Sequence, residues 1–186
     1  MKDFIVKDLM VPISEYASVP LGSTLAQAVL ALEQAQEKYT HTQYSHRAVL
    51  VMDKHQHVVG KISQLDFLHS IEKQDEQTER IKNIAKYGFS PKAIAFRQER
   101  YGMKSRPGKD IYTKAAILKV DDFMQRPTEG EYVEENHSLE TAVHQLITGR
   151  HLSLLVTREK KIVGILRLSD VFAAVFHTMK KFQAFT

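Results

Sequence analysis

Apolar residues recur along this chain in two alternating periods. Leu25, Ala28, Val29 and Leu32 stand at i, i+3, i+4 and i+7, and Leu139, Ala142, Val143 and Leu146 repeat the spacing, so each set predicts an amphipathic helix with a core-facing stripe. Thr24 and Ser138 precede these stripes and are the expected N-caps. Behind each helix come two short β-branched runs joined by a polar turn, which predict hairpins: 48–52 with 58–62 around residues 53–57, and 152–156 with 162–166 around residues 158–160. A short extended piece leads into each helix, at 17–20 and 131–134. Further upstream, Val6-Lys7-Asp8-Leu9-Met10-Val11-Pro12 returns as Val120-Asp121-Asp122-Phe123-Met124-Gln125-Arg126-Pro127. The pattern is one β-α-β-β-α unit written twice.

A unit of about sixty residues buries too little surface to be comfortable alone. The expected fold class is therefore α+β, with two β-α-β-β-α repeats packed sheet to sheet in pseudo-twofold symmetry around a shared core. The first repeat is expected over 1–71, a helical basic insert over 72–119, and the second repeat with a C-terminal helix over 120–186. Such pairing leaves two related clefts, which are natural ligand sites. In each repeat the last strand runs through a glycine into a helix, as Val58-Val59-Gly60-Lys61-Ile62-Ser63-Gln64-Leu65-Asp66 and as Lys161-Ile162-Val163-Gly164-Ile165-Leu166-Arg167-Leu168-Ser169-Asp170. The aspartate falls in the first helical turn, where a carboxylate is favoured and can accept hydrogen bonds from neighbouring hydroxyls; a ribose diol fits that chemistry. Ser63-x-x-Asp66 is equally a capping-box pattern, in which the two residues satisfy each other.

Charge changes the picture in the middle of the chain. Arg80, Lys82, Lys86, Lys92, Arg97, Arg100, Lys104, Arg106, Lys109, Lys114 and Lys119 face only Glu99 and Asp110, so the remainder is net acidic although the whole carries +4. Tyr87, Phe89, Phe96, Tyr101 and Tyr112 are interleaved with those bases, which keeps single-stranded nucleic acid open as a partner of residues 80–119. A solvated helix face is the plain alternative. Gly88 is an expected helix stop, Ser90-Pro91 an expected helix start, and residues 104–110 a basic loop. There is no cysteine, and thiol catalysis, disulfides and thiolate metal sites are excluded with it. No G-x-S-x-G, P-loop or H-E-x-x-H motif occurs, so neither an enzyme nor a metal site is expected. His55 and His57 with Asp53 read as a solvated turn. The start lacks an apolar leader and no run reaches membrane-spanning length, so a cytoplasmic protein without membrane association is expected. Phe172, Phe176, Met179 and Phe182 share roughly one face of the last helix, as core or as a homodimer interface.

These ordered motifs, each present twice, resemble the tandem cystathionine-β-synthase (CBS) domain pair, or Bateman module. The resemblance covers residues 1–71 and 120–180 and not the insert. It implies a regulatory module without a catalytic cofactor, which binds AMP, ADP, ATP or S-adenosylmethionine between the repeats, commonly as a homodimer, and signals through self-association or a protein partner. A structural scaffold with empty clefts is the alternative within the same fold. By position, Asp66 matches the family's ribose-binding aspartate, Ser63 its hydroxyl residue, and Asp170 the second aspartate. Arg167 departs from the hydroxyl pattern and would either clamp phosphate or fill the pocket. The base is expected near Ala17, Ser18 and Val19 with His46, Arg47 and Ala48 in one copy, and near Tyr132, Val133, Arg150, His151 and Leu152 in the other. His46 and His151 read alternatively as packing residues.

Overall fold

The computed structural model describes residues 4–39, 45–73 and 109–181. Its helices and strands, in chain order, are α1 (Val6–Leu9), β1 (Val11–Pro12), β2 (Ser18–Pro20), α2 (Leu25–Lys38), β3 (Ala48–Met52), β4 (Val58–Ser63), α3 (Gln64–Lys73), α4 (Lys109–Ala116), β5 (Tyr132–Glu134), α5 (Leu139–Gly149), β6 (Ser153–Arg158), β7 (Lys161–Arg167) and α6 (Leu168–Lys181). The expected caps are in place. Thr24 accepts from the Gln27 amide while the Gln27 side chain returns to the Thr24 N–H, and Ser138 accepts from the Thr141 amide. Of the first stripe, Leu25 and Ala28 are buried and Leu32 is half-buried, but Val29 is half exposed. It lies on the flank of a helix that covers only three strands.

In each repeat the piece leading into the first helix pairs in parallel with the hairpin, giving β2-β3-β4 in one sheet and β5-β6-β7 in the other. The leading strand is exchanged. β1 of the first repeat joins the second sheet, antiparallel to β7, with Val11 opposite Ile165. Reciprocally, Gln125 forms a bridge to Lys61 of β4, its amide and carbonyl bonding those of Lys61 at 2.8 and 3.0 Å. Met10 then lies over Gly164 and Met124 over Gly60, at positions where a Cβ would meet the methionine sulfurs at 2.9 and 2.5 Å. The two hairpins also break register at the equivalent points, Val51/Met52 and Val156/Thr157. These repeated details are the expected pseudo-twofold symmetry. Backbone bonds such as Val6 N–H to His137 O and Val120 N–H to Ser23 O tie each leader to the body of the other repeat.

Val11, Tyr16, Leu50, Leu155 and Ile165 form a buried cluster drawn from both sheets, which is the shared core. Each sheet has a further core beneath its helices, around Val49, Val51 and Ile62 in one and Leu154, Val156 and Leu166 in the other. α4 packs against α2 and α3. Its start at Lys109 replaces the last two residues of the loop expected over 104–110. The expected features at Gly88, Ser90-Pro91, Phe182 and the bases and aromatics of residues 80–108 lie outside the described residues.

Candidate functional site

The helix first turns that carry the two aspartates are built alike but furnished differently. β7 ends at Arg167 and α6 begins with Leu168, which sets Asp170 three residues from Arg167. Arg167 Nε and Nη2 donate to Asp170 Oδ2 and Oδ1 at 2.5 and 2.7 Å, a two-point pair with both side chains buried. Arg167 Nη1 lies 3.4 Å from Nδ1 of His46, and the guanidinium sits over the Tyr39 ring, 5.3 Å from its centroid. His46 packs edge-on to Tyr16 at 4.5 Å and tilted on Tyr39 at 4.6 Å.

These groups set one another's protonation. Burial, with the Arg167 charge second, lowers the His46 pKa to about 4, so the ring is neutral. Arginine only donates, so Nδ1 is the acceptor and Nε2 carries the proton; that buried Nε2 has no hydrogen-bond partner among the described residues. Burial pushes the Tyr16 hydroxyl up to about 12 against the opposing pull of Arg167. Burial alone would lower the Arg167 pKa, but the Asp170 hydrogen bonds and charge raise it.

At the other aspartate the partners are neutral. Asp66 Oδ2 accepts from the Ser63 amide at 2.7 Å and the Ser63 hydroxyl at 2.6 Å, and the Ser63 oxygen accepts in turn from the Asp66 amide. This is the reciprocal capping pattern seen in the sequence. Asp66 Oδ1 accepts from the side-chain amide of Gln125, an exposed residue of the second repeat's leader, at 2.9 Å. Beside it Lys61 is ion-paired with the buried Glu131. Burial would raise the Glu131 carboxyl, yet the Lys61 hydrogen bond and charge hold it below the ordinary range.

The two aspartates therefore draw on different neighbours. His46 faces Arg167 and Asp170, not Ser63 and Asp66, and the latter pair lies with Lys61, Gln125 and Glu131. Each aspartate cluster thus combines side chains of both repeats. Ala17 and Ser18 line a cavity of about 380 Å³ with Tyr16, Gln34, Lys38 and Tyr39, so it shares two aromatic walls with the Arg167 cluster. Val19 and Val133 are core residues, and Ala48 is buried in its strand. Arg47 and Arg150 are exposed, and Leu152 is 70% exposed. Arg150 takes left-handed backbone geometry as the C-cap of α5, and the His151 ring folds back over Gly149, where a Cβ would lie 2.0 Å from Nε2.

Tyr16, Tyr39, Lys61, Gln125 and Glu131 were not expected at these sites. The signal available in sequence was positional, since Gln125 stands in the second leader where Val11 stands in the first. In the hairpin turn, Asp53 Oδ1 accepts the amides of His55 and His57 at 2.8 and 2.9 Å, so the carboxylate closes the turn. No helix among the described residues is long and apolar enough to cross a membrane.

Residues 120–177 match the CBS domain family. Among solved structures, the chain is similar to a CBS domain-containing protein of unknown function from Bacillus anthracis, at 18% identity and a TM-score of 0.61 over 95% of both chains. It is similar to CBSX2 in complex with AMP at 19% identity and a TM-score of 0.55, over 94% of this chain and 98% of that one. A protein from Methanocaldococcus jannaschii matches at 18% identity and a TM-score of 0.57; the match covers 97% of this chain and 66% of the other. At these identities the likeness is one of fold. No curated protein matches the chain by sequence.

Proposed function

We propose that this CBS-domain protein, a tandem pair by its fold, is a non-catalytic cytoplasmic regulator that takes an adenosine-containing ligand in the cleft at Asp66. AMP, ADP, ATP and S-adenosylmethionine share the ribose this cleft would hold. The observation that carries the reading is the state of Asp66: a carboxylate in a helix first turn, anchored through Oδ2 by Ser63, whose Oδ1 is covered by the exposed, neutral amide of Gln125. A ribose hydroxyl can replace that amide with an equivalent hydrogen bond, at little cost in solvation. CBSX2, whose fold is shared, holds AMP.

The signal would leave by self-association or through a protein partner. The exposed Leu168, Phe172 and Met179 of α6, with Phe172 and Phe176 stacked 6.4 Å apart, support a homodimer face.

The test is thermal unfolding with AMP, ATP and S-adenosylmethionine. A ligand at a hundred times its Kd stabilises by about 2.7 kcal/mol, a shift of several degrees for a chain of this size. Asp66→Ala, losing charged hydrogen bonds worth ~2 kcal/mol, should weaken binding roughly thirtyfold. Unchanged calorimetric affinity in that variant would remove the assignment.

A further inference from the structure

We infer that Arg167 is a built-in occupant of the second cleft, so that the chain takes one nucleotide and not two. The inference rests on the nucleotide reading above for the identity of the ligand.

A vicinal diol recognises a carboxylate by donating two hydrogen bonds, one to each oxygen. One edge of a guanidinium offers the same two-point donation and adds a positive charge. Arg167 Nε and Nη2 make that donation to Asp170 Oδ2 and Oδ1 at 2.5 and 2.7 Å. Charge-assisted hydrogen bonds are roughly twice as strong as neutral ones, so a ribose competing for the same oxygens would exchange strong bonds for weaker ones. It would also leave a buried arginine to be solvated or paired again.

The surroundings hold the guanidinium in place. Tyr39 lies over it, His46 Nδ1 is 3.4 Å from Nη1, and Arg167 and Asp170 are only 4% and 7% exposed. His46 strengthens the point. Its neutral ring can accept from the arginine at Nδ1, whereas a charged imidazolium could not. Among the described residues Asp66 has none of this: at the position of Arg167 stands Ser63, too short to span both carboxylate oxygens, and Asp66 Oδ1 is left to an exposed amide.

Isothermal titration with AMP, and separately with ATP, decides the matter by stoichiometry. The wild-type chain should bind one equivalent, Asp66→Ala should bind that equivalent roughly thirtyfold more weakly, and Arg167→Ser should bind two. In Arg167→Ser the new hydroxyl reproduces the Ser63-x-x-Asp66 arrangement, and circular dichroism establishes that the variant is folded. The comparison of wild type with Asp66→Ala does not depend on it. Two equivalents in the wild type, a full-strength site surviving in Asp66→Ala, or one equivalent in both the wild type and folded Arg167→Ser would each overturn the inference while leaving nucleotide binding intact. No binding in the wild type with one equivalent in Arg167→Ser would overturn the Asp66 reading and uphold the role of Arg167. No binding in either protein would overturn both.

Discussion

Two glycines at equivalent places in the two hairpins should respond unequally to the same substitution. A Cβ on Gly164 would lie 2.7 Å from the Val11 carbonyl oxygen and 2.9 Å from Met10 Sδ. The first of these atoms is backbone, held in register opposite Ile165, so β1 must move by about half an ångström or tear its bridge to β7. A Cβ on Gly60 would lie 2.5 Å from Met124 Sδ and 3.3 Å from the Gln125 carbonyl. There the closest obstacle is the end of a flexible thioether, which can take another rotamer.

Overpacking against a fixed strand costs about 1–3 kcal/mol, and alanine recovers about 0.4–1 kcal/mol by restricting the unfolded chain. Gly164→Ala should therefore destabilise by about 1–2 kcal/mol, and Gly60→Ala by well under about 1 kcal/mol. Urea denaturation of both variants reads the difference as a shift in midpoint at constant slope. Met10→Ala removes the sulfur but not the Val11 oxygen, so it should fail to rescue Gly164→Ala. Equal losses at the two glycines, or a full rescue by Met10→Ala, would refute the claim that the exchanged strand is what limits Gly164.

Stability should fall between pH 6.5 and 4 on account of His46, whose pKa drops from 6.5 to about 4 on folding. The unfolded chain takes the proton first in that window, so the contribution is whole above 6.5 and lost on acidification, by about 3 kcal/mol in all. His46→Gln should flatten the profile by up to one proton, read from denaturation at stepped pH. Lys61→Met leaves Glu131 buried without its cation and should cost about 3 kcal/mol, while adding Glu131→Leu should recover most of that; a double-mutant cycle measures the coupling. Thr24→Ala removes the N-cap of α2 and should cost about 1 kcal/mol in the same assay.

Local features were legible because local chemistry decides them. The caps at Thr24 and Ser138 and the 3.6-residue stripe of α5 follow from neighbours a few residues apart, and the internal repeat showed that whatever folds once folds twice. The exchange of β1 was not legible. A two-residue strand carries no periodicity that names its partner, and Val11 pairs with a residue far along the chain. Met10, Met124, Gly60 and Gly164 were all visible as recurring residues, but their contacts arise only once the leaders cross. Which aspartate His46 would meet was not legible either, because its contact with Arg167, 121 residues along the chain, arises only once the two repeats pack together.

That crossing also decides how a ligand at Asp66 could be felt elsewhere. Gln125 is bound to the first repeat twice, by its backbone to Lys61 and by its side chain to Asp66. A ligand that takes Asp66 Oδ1 releases the side chain and leaves the backbone bridge in place, so the disturbance is confined to one side of a short segment. That segment begins at Val120, whose amide bonds Ser23 O, next to Lys119, whose ammonium bonds Gly22 O at 2.7 Å. Two residues earlier Leu118 accepts from the Leu25 amide at the start of α2. Residues 118–125 thus form a splint fastened to the N-terminus of α2 at one end and to Asp66 at the other.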